Sequence, residues 1–139
     1  MKKIKLTVLT PDRTLLSSKE TESITIPAFE GEMGILPGHA PYIVQLKEGI
    51  LRYKAGGKED FMAIFWGFAR IKGDEVTVLT EMGELVKEIN EEKARQEYQR
   101  AKDAMNMKGA DLDLDSAQAS IKKAIVRIKV AELRRKRNI

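Results

Sequence analysis

Cysteine is absent from the 139 residues, so neither a disulfide framework nor a thiolate zinc site can form. Histidine occurs once, at His39. Ser-His-Asp and Cys-His chemistry is thereby left with a single candidate base, and no G-x-S-x-G turn accompanies it. No apolar run approaches the ~20 residues that span a bilayer. Met1-Lys2-Lys3 leads straight into alternation, not into the apolar core of a signal peptide, so the chain is expected to stay where it is made. The glycine-rich stretch at 31–41 lacks the Lys-Ser/Thr pair of a P-loop. Asp111, Asp113 and Asp115 lack the glycine and distal glutamate of an EF-hand and are read as helix caps. Neither an independent enzyme nor a metal site is expected.

Hydrophobic residues at 42% and charged residues at 33% describe a soluble globular protein with a highly charged surface. A chain of this length buries roughly two thirds of its unfolded surface, enough for one core and a satellite. The net charge of +4 is unevenly placed. Between 122 and 137, Lys122, Lys123, Arg127, Lys129, Arg134, Arg135, Lys136 and Arg137 are opposed only by Glu132. Such an end attracts acidic protein, nucleotide, nucleic acid or anionic membrane. The same cations equally complement the dipole of a helix C-terminus.

Residues 4–81 carry a period of two, as in Ile4, Leu6 and Val8, Ile24 and Ile26, and Val76 and Val78. Turn residues recur every eight to twelve positions or so, among them Ser17-Ser18, Gly56-Gly57 and Gly73-Asp74. Many short strands without intervening helices predict an antiparallel sandwich or flattened barrel. The run 61–68, with the only tryptophan at Trp66, predicts a strand covered on both faces. G-E-M-G-I-L-P-G-H-A-P at 31–41 predicts a folded-back corner anchored by Met33, Ile35 and Leu36.

Near Glu84 the period changes. Ala94, Tyr98, Ala101 and Met105 fall at helical spacing behind an Asn90 N-cap, and Lys108-Gly109 ends that helix. A second helix follows from about Ser116, with Ala117, Ile121, Ala124, Ile125, Ile128 and Ala131 on one face. The short connection makes the two antiparallel, and an alanine-rich seam makes the pair marginal and able to leave the sandwich. Opposite the seam, Lys93, Glu97 and Arg100 are spaced i, i+4, i+7 on the first helix, and Lys123, Arg127 and Arg134 fall within about 40° of one another on the second, so basic side chains of the two helices are expected to converge. Two readings stand: an anion clamp for a nucleotide's phosphates, or a solvated basic face.

With V-L-T-P-D-R at 8–13, the 31–41 string, G-I-L-R at 49–52, G-F-A-R-I at 67–71, A-Q-A-S at 117–120 and R-I-K-V-A at 127–131, the sequence resembles the epsilon subunits of bacterial and chloroplast F-type ATP synthases. The resemblance covers almost the whole chain. It implies an α+β protein: an N-terminal antiparallel β-sandwich of about ten short strands over 1–86, then an antiparallel two-helix hairpin over 87–139. It also implies a non-catalytic rotor subunit of the central stalk, whose sandwich binds the gamma subunit and sits on the c-subunit ring. The hairpin would permit ATP hydrolysis when folded. Extended along gamma it would oppose hydrolysis, wedged against the alpha and beta subunits of the catalytic head.

By resemblance Glu32 faces the ring, His39 lies near gamma, and Lys122, Lys123, Arg127, Lys129, Arg134 and Arg135 form the inhibitory basic helix. The complex would hold the chain peripherally at the cytoplasmic face of the bacterial cell membrane. Some relatives bind regulatory ATP through I-D-x-x-R-A, where this chain has Ile89, Asn90, Lys93 and Ala94; Arg100, Lys123 and Arg127 match the remaining basic positions. Asn90 lacks the acid's charge and Lys93 cannot form a guanidinium fork, so ATP binding is expected to be weak or absent, and no cofactor is required. Trp66 stands where relatives place glycine. The competing reading, a small β-domain whose basic helical tail binds nucleic acid, is disfavoured because residues 116–139 offer no aromatic to stack on bases.

Overall fold

Alternating apolar residues become strands here because each alternation places one side chain in two on a shared core. The computed structural model describes residues 2–106 and 114–137, in two units, Met1–Leu85 and Val86–Ile139. The first unit contains β1 (Ile4–Leu9), β2 (Thr14–Thr21), β3 (Ser23–Ala28), β4 (Gly31–Ile35), β5 (Tyr42–Leu46), β6 (Gly49–Ala55), β7 (Lys58–Lys72) and β8 (Glu75–Leu85). They hydrogen-bond in the order β2-β1-β8-β7-β5-β3-β4, with β6 bridging β3 and β7. Ile4, Leu6, Val8, Ile24, Ile26, Leu46, Ile64, Ile71, Val76 and Val78 meet in one buried cluster. Burying each such side chain contributes about 1.5–3 kcal/mol.

Three features differ from the sequence expectation. There are eight strands among the described residues where the resemblance implies about ten short ones, and two of the eight are long, β7 at 15 residues and β8 at 11. One half of β7 pairs with β6, from Lys58 opposite Ala55 to Ile64 opposite Gly49, and the other half pairs with β5, from Gly67 opposite Leu46 to Ile71 opposite Tyr42. Second, the sandwich is antiparallel except at one seam, where β1 runs parallel to β8 with Lys5 opposite Glu75 and Leu9 opposite Leu79. A parallel pair needs a long crossover, and here β2 to β7 supply it. Third, Ser17-Ser18 is no turn. It lies inside β2 near register shifts against β1, with Ser18 at φ 46° and its N–H donating to Thr7 Oγ1 at 3.0 Å. Gly56-Gly57 does close β6 onto β7, with Ala55 opposite Lys58.

The two halves of β7 meet at Trp66 (φ 57°) and Gly67 (φ 137°). A Cβ on Gly67 would stand 2.0 Å from the Leu79 carbonyl oxygen, so no other residue fits without moving backbone. The buried Thr80 hydroxyl clasps this corner from β8. It accepts from the Phe65 N–H at 3.2 Å and lies 2.7 Å from the Trp66 carbonyl oxygen, its nearest acceptor. The run expected to be covered on both faces is buried only from Phe61 to Phe65; Trp66 is half-buried and Phe68 is exposed. Trp66 occupies a left-handed conformation that costs roughly 1–2 kcal/mol in any L-residue, which accounts for the glycine that the resemblance places there.

The second unit opens with a 3-10 turn, Val86–Glu88, followed by α1 (Glu91–Asn106) and α2 (Leu114–Arg137). Asn90 is the N-cap: its Oδ1 accepts from the Lys93 N–H at 3.0 Å and its carbonyl from the Ala94 N–H at 3.0 Å. Lys108-Gly109, Asp111 and Asp113 lie outside the described residues, while Asp115 sits in the first turn of α2. Ala94, Ala101, Ala124 and Ala131 are buried as the seam requires, but Ile121 and Ile128 are half-buried and Ile125 is exposed. Val126 and Val130, about 200–240° around the helix from Ala124, are buried and were missed by the single-stripe reading.

Gly67→Ala is expected to destabilise the first unit by at least ~2 kcal/mol, read as a lower urea midpoint in Trp66 fluorescence; an unchanged midpoint would mean that the corner relaxes freely. Asn90→Ala should cost the helical unit about 1 kcal/mol and Asn90→Asp little, both measured by thermal melts in far-UV circular dichroism.

Candidate functional site

The 31–41 string builds the most distinctive surface of the first unit. Ala28 pairs with Gly31 across a Phe29-Glu30 turn, and β4 runs along the outside of β3 with Glu32 opposite Pro27. The first half of the expected corner is therefore a short edge strand. The second half is a type II turn from Leu36 to His39, closed by the His39 N–H on the Leu36 carbonyl at 3.2 Å. Pro37 presets its first φ, and Gly38 at φ 84° takes the position that needs a left-handed residue. Of the three expected anchors, Ile35 is buried in the core cluster and Met33 packs against it. Leu36 points the other way, into solvent.

That outward turn belongs to a larger pattern. On β5, β7 and β8 the core takes Val44, Leu46, Ala69, Ile71, Val76 and Val78, so the alternate positions face outward. The register places Gln45 beside Phe68, Phe68 beside Leu79, and Leu79 beside Leu9, with Ile43 next along β5. Phe29 (59% exposed), Leu36 (64%), Ile43 (69%), Phe68 (54%) and Leu79 (53%) are thus large apolar side chains left in water on a unit whose core is already filled. Apolar surface exposed in this way marks a contact site. A cleft of about 440 Å³ lies between β4 and β5, lined by Phe29, Glu30, Glu32, Met33, Tyr42 and Ile43 among others.

Glu32 is exposed, on an edge strand beside that cleft. His39 is half-buried, with Nδ1 2.7 Å from the Ala40 carbonyl oxygen, so the ring is held by neighbouring backbone. The 8–13 string forms a self-bonded turn. Thr10 Oγ1 donates to Asp12 Oδ1 at 2.7 Å, and the Arg13 guanidinium donates to the Gly83 carbonyl at 2.8 Å. The hydroxyl bond from Thr10, then a backbone N–H and the nearby Arg13, hold the Asp12 carboxyl below the usual range.

In the helical unit the candidate nucleotide residues differ in their surroundings. Ile89 and Ala94 are buried, the Asn90 carboxamide oxygen is engaged in capping, and Arg127 Nη1 lies 3.1 Å from Glu97 Oε2. Lys93 and Arg100 are exposed and Lys123 is half-buried. Of the basic-helix residues, Lys122, Lys129, Arg134 and Arg135 are exposed.

Sequence reasoning missed Glu91 as a hub. It receives Arg135 through Nε at 3.0 Å and Nη2 at 3.0 Å, and Arg95 through Nη2 at 2.8 Å; Arg95 also reaches Glu132 at 3.3 Å. The i, i+4 spacing of Glu91 and Arg95 was readable in advance, whereas Arg135, distant in sequence, was not. The Arg95 bond chiefly, with Arg135 behind it, lowers the Glu91 carboxyl from its ordinary value. A depressed folded value means that this pairing stabilises at neutral pH and is lost as pH falls below the usual glutamate range. Among the described residues no group of His, Asp and Glu is arranged to hold a metal, and no helix is long and apolar enough to cross a membrane.

Comparison with known proteins finds the same two parts. The family described as "ATP synthase, Delta/Epsilon chain, beta-sandwich domain" matches residues 3–86, and "ATP synthase, Delta/Epsilon chain, long alpha-helix domain" matches residues 87–132. The ATP synthase epsilon chain of Desulforamulus reducens is 38% identical over 128 residues, covering 92% of this chain and 96% of that one. That of Geotalea uraniireducens is 38% identical over 130 residues, covering 93% and 94%. A chain in the Euglena gracilis mitochondrial ATP synthase structure, which comprises OSCP, F1 and the c-ring, superposes with a TM-score of 0.79 at 31% identity, covering 94% of this chain and 81% of that one. With both units matched, the chain belongs to the epsilon-chain family of the F-type ATP synthases, whose members are non-catalytic subunits of that complex.

Proposed function

We propose that the chain is a central-stalk subunit that couples c-ring rotation to the catalytic head through gamma, with residues 1–86 as the docking domain and 87–139 as a regulatory hairpin. The observation that carries the docking half is the row of exposed apolar side chains, Ile43, Phe68 and Leu79, beside the 31–41 turn. A complete core has no use for them, and a partner that covers them gains ~25 cal/mol per Å² of apolar surface. Gamma takes this face, with His39 at its margin, and Glu32 on the β4 edge meets the polar loops of the ring. A rotor contact has to pass torque without flexing, and the Gly67 corner and the Pro37-Gly38 turn supply that stiffness.

The second half of the proposal is inhibition. The basic residues of α2, Lys122, Lys123, Arg127, Lys129, Arg134 and Arg135, engage acidic surface of the alpha and beta subunits when the hairpin extends. The small alanines of the seam support it, since a switch requires folded and extended forms within a few kcal/mol of each other. Regulatory ATP binds weakly or not at all. Asn90 serves as a cap, Lys93 lacks a planar fork, and Arg127 is already paired with Glu97. The complex holds the chain at the cytoplasmic face of the bacterial membrane.

Phe68→Glu should weaken gamma binding by at least about tenfold, since it replaces an exposed aromatic that gamma would cover with a charge; unaltered binding by a folded variant would overturn the docking assignment. Truncation after Glu88 should raise ATP hydrolysis by the assembled head, and an unchanged rate would refute the brake. Titration calorimetry of the isolated chain with ATP should register no tight binding.

A further inference from the structure

Antiparallel packing brings the start of α1 and the end of α2 together, at the end of the hairpin remote from the connecting segment. That is the end at which two tethered helices part first, and among the described residues it carries three of the ion pairs, Glu91–Arg95, Glu91–Arg135 and Arg95–Glu132. Glu91, the first residue of α1, is gripped by Arg135 and by Arg95 through two nitrogens each, while Arg95 also reaches Glu132 on α2. Both helix dipoles favour this arrangement, with an anion at an N-terminus and a cation at a C-terminus. Further along, Glu97 takes Arg127. Two residues of the basic stretch are therefore occupied by carboxylates of the same hairpin.

We propose that Glu91 is a latch that holds the open end of the hairpin shut and, together with Glu97, masks two cations that the extended form would otherwise present. This inference rests on the inhibitory reading above, and it adds a direction to it. The strength of the brake is set by competition between the hairpin's own carboxylates and the acidic surface of the catalytic head. Losing an acid from α1 should make the chain a stronger inhibitor. A bare charge effect at the helix N-terminus would instead leave Glu91 and Arg135 energetically independent.

The test uses the full chain with Glu91→Gln, Arg135→Gln and the two combined. Amide hydrogen exchange in α1 and α2 should speed up about two- to five-fold in each single variant, and the double variant should be no faster than the singles, as for a mutual contact. Additive effects would overturn the latch. Assembled with the catalytic head, the Glu91→Gln chain should lower ATP hydrolysis by about two-fold or more; loosened helices with hydrolysis unchanged would overturn the masking. Truncation after Glu88 does not depend on Glu91, so it tells a failed latch from a failed brake.

Discussion

One strand must serve two partners. The first half of β7 pairs with β6 and the second with β5, and both must still pair with β8 on the other side. The corner at Trp66-Gly67 reconciles these demands. Gly67 lets the backbone come against Leu79, and the Thr80 hydroxyl on β8 holds the corner through the Trp66 carbonyl oxygen at 2.7 Å. Because β7 runs on past the corner, its second half presents Phe68 outward in register with Leu79 and Gln45. The outward apolar face is a consequence of how the core is closed.

The helical unit rests on a different balance. Its seam is built from Ala94, Ala101, Ala124 and Ala131, whose small side chains remove little surface from water. Where apolar burial is thin, modest terms decide the register, and here those are the Asn90 cap and the pairs made by Glu91 and Glu97. Charge-dependent contacts weaken with salt and yield to stronger partners, whereas a leucine seam would do neither. Such a pair of helices is suited to changing neighbours.

The strand and helix classes were legible because period two and period 3.6 leave different marks on a sequence, and Asn90 could be placed as a cap from local chemistry alone. The strand count was not, because whether β7 breaks or continues at Trp66 depends on β5 and β6 arriving from elsewhere in the chain. The parallel seam of β1 with β8 likewise joins residues far apart and leaves no local pattern. Leu36 read as an anchor because an apolar residue in a turn resembles one that packs inward. The 31–41 string marked the distinctive surface, while Phe68 and Leu79 were hidden in runs that read as core. Arg127 and Arg135 were visible as charge, but their acidic partners lie on another helix.

The parallel seam also bears on how the chain is made. Lys5 finds its neighbour Glu75 only after the intervening strands exist, so the β1–β2 hairpin emerges from the ribosome with one side bare and waits for most of the first unit to follow. Such distant pairing is slow to form. β1 is thus among the last strands of the unit to complete its pairing, and a chain stalled before β8 leaves one edge of the β1–β2 hairpin open to pairing with other strands.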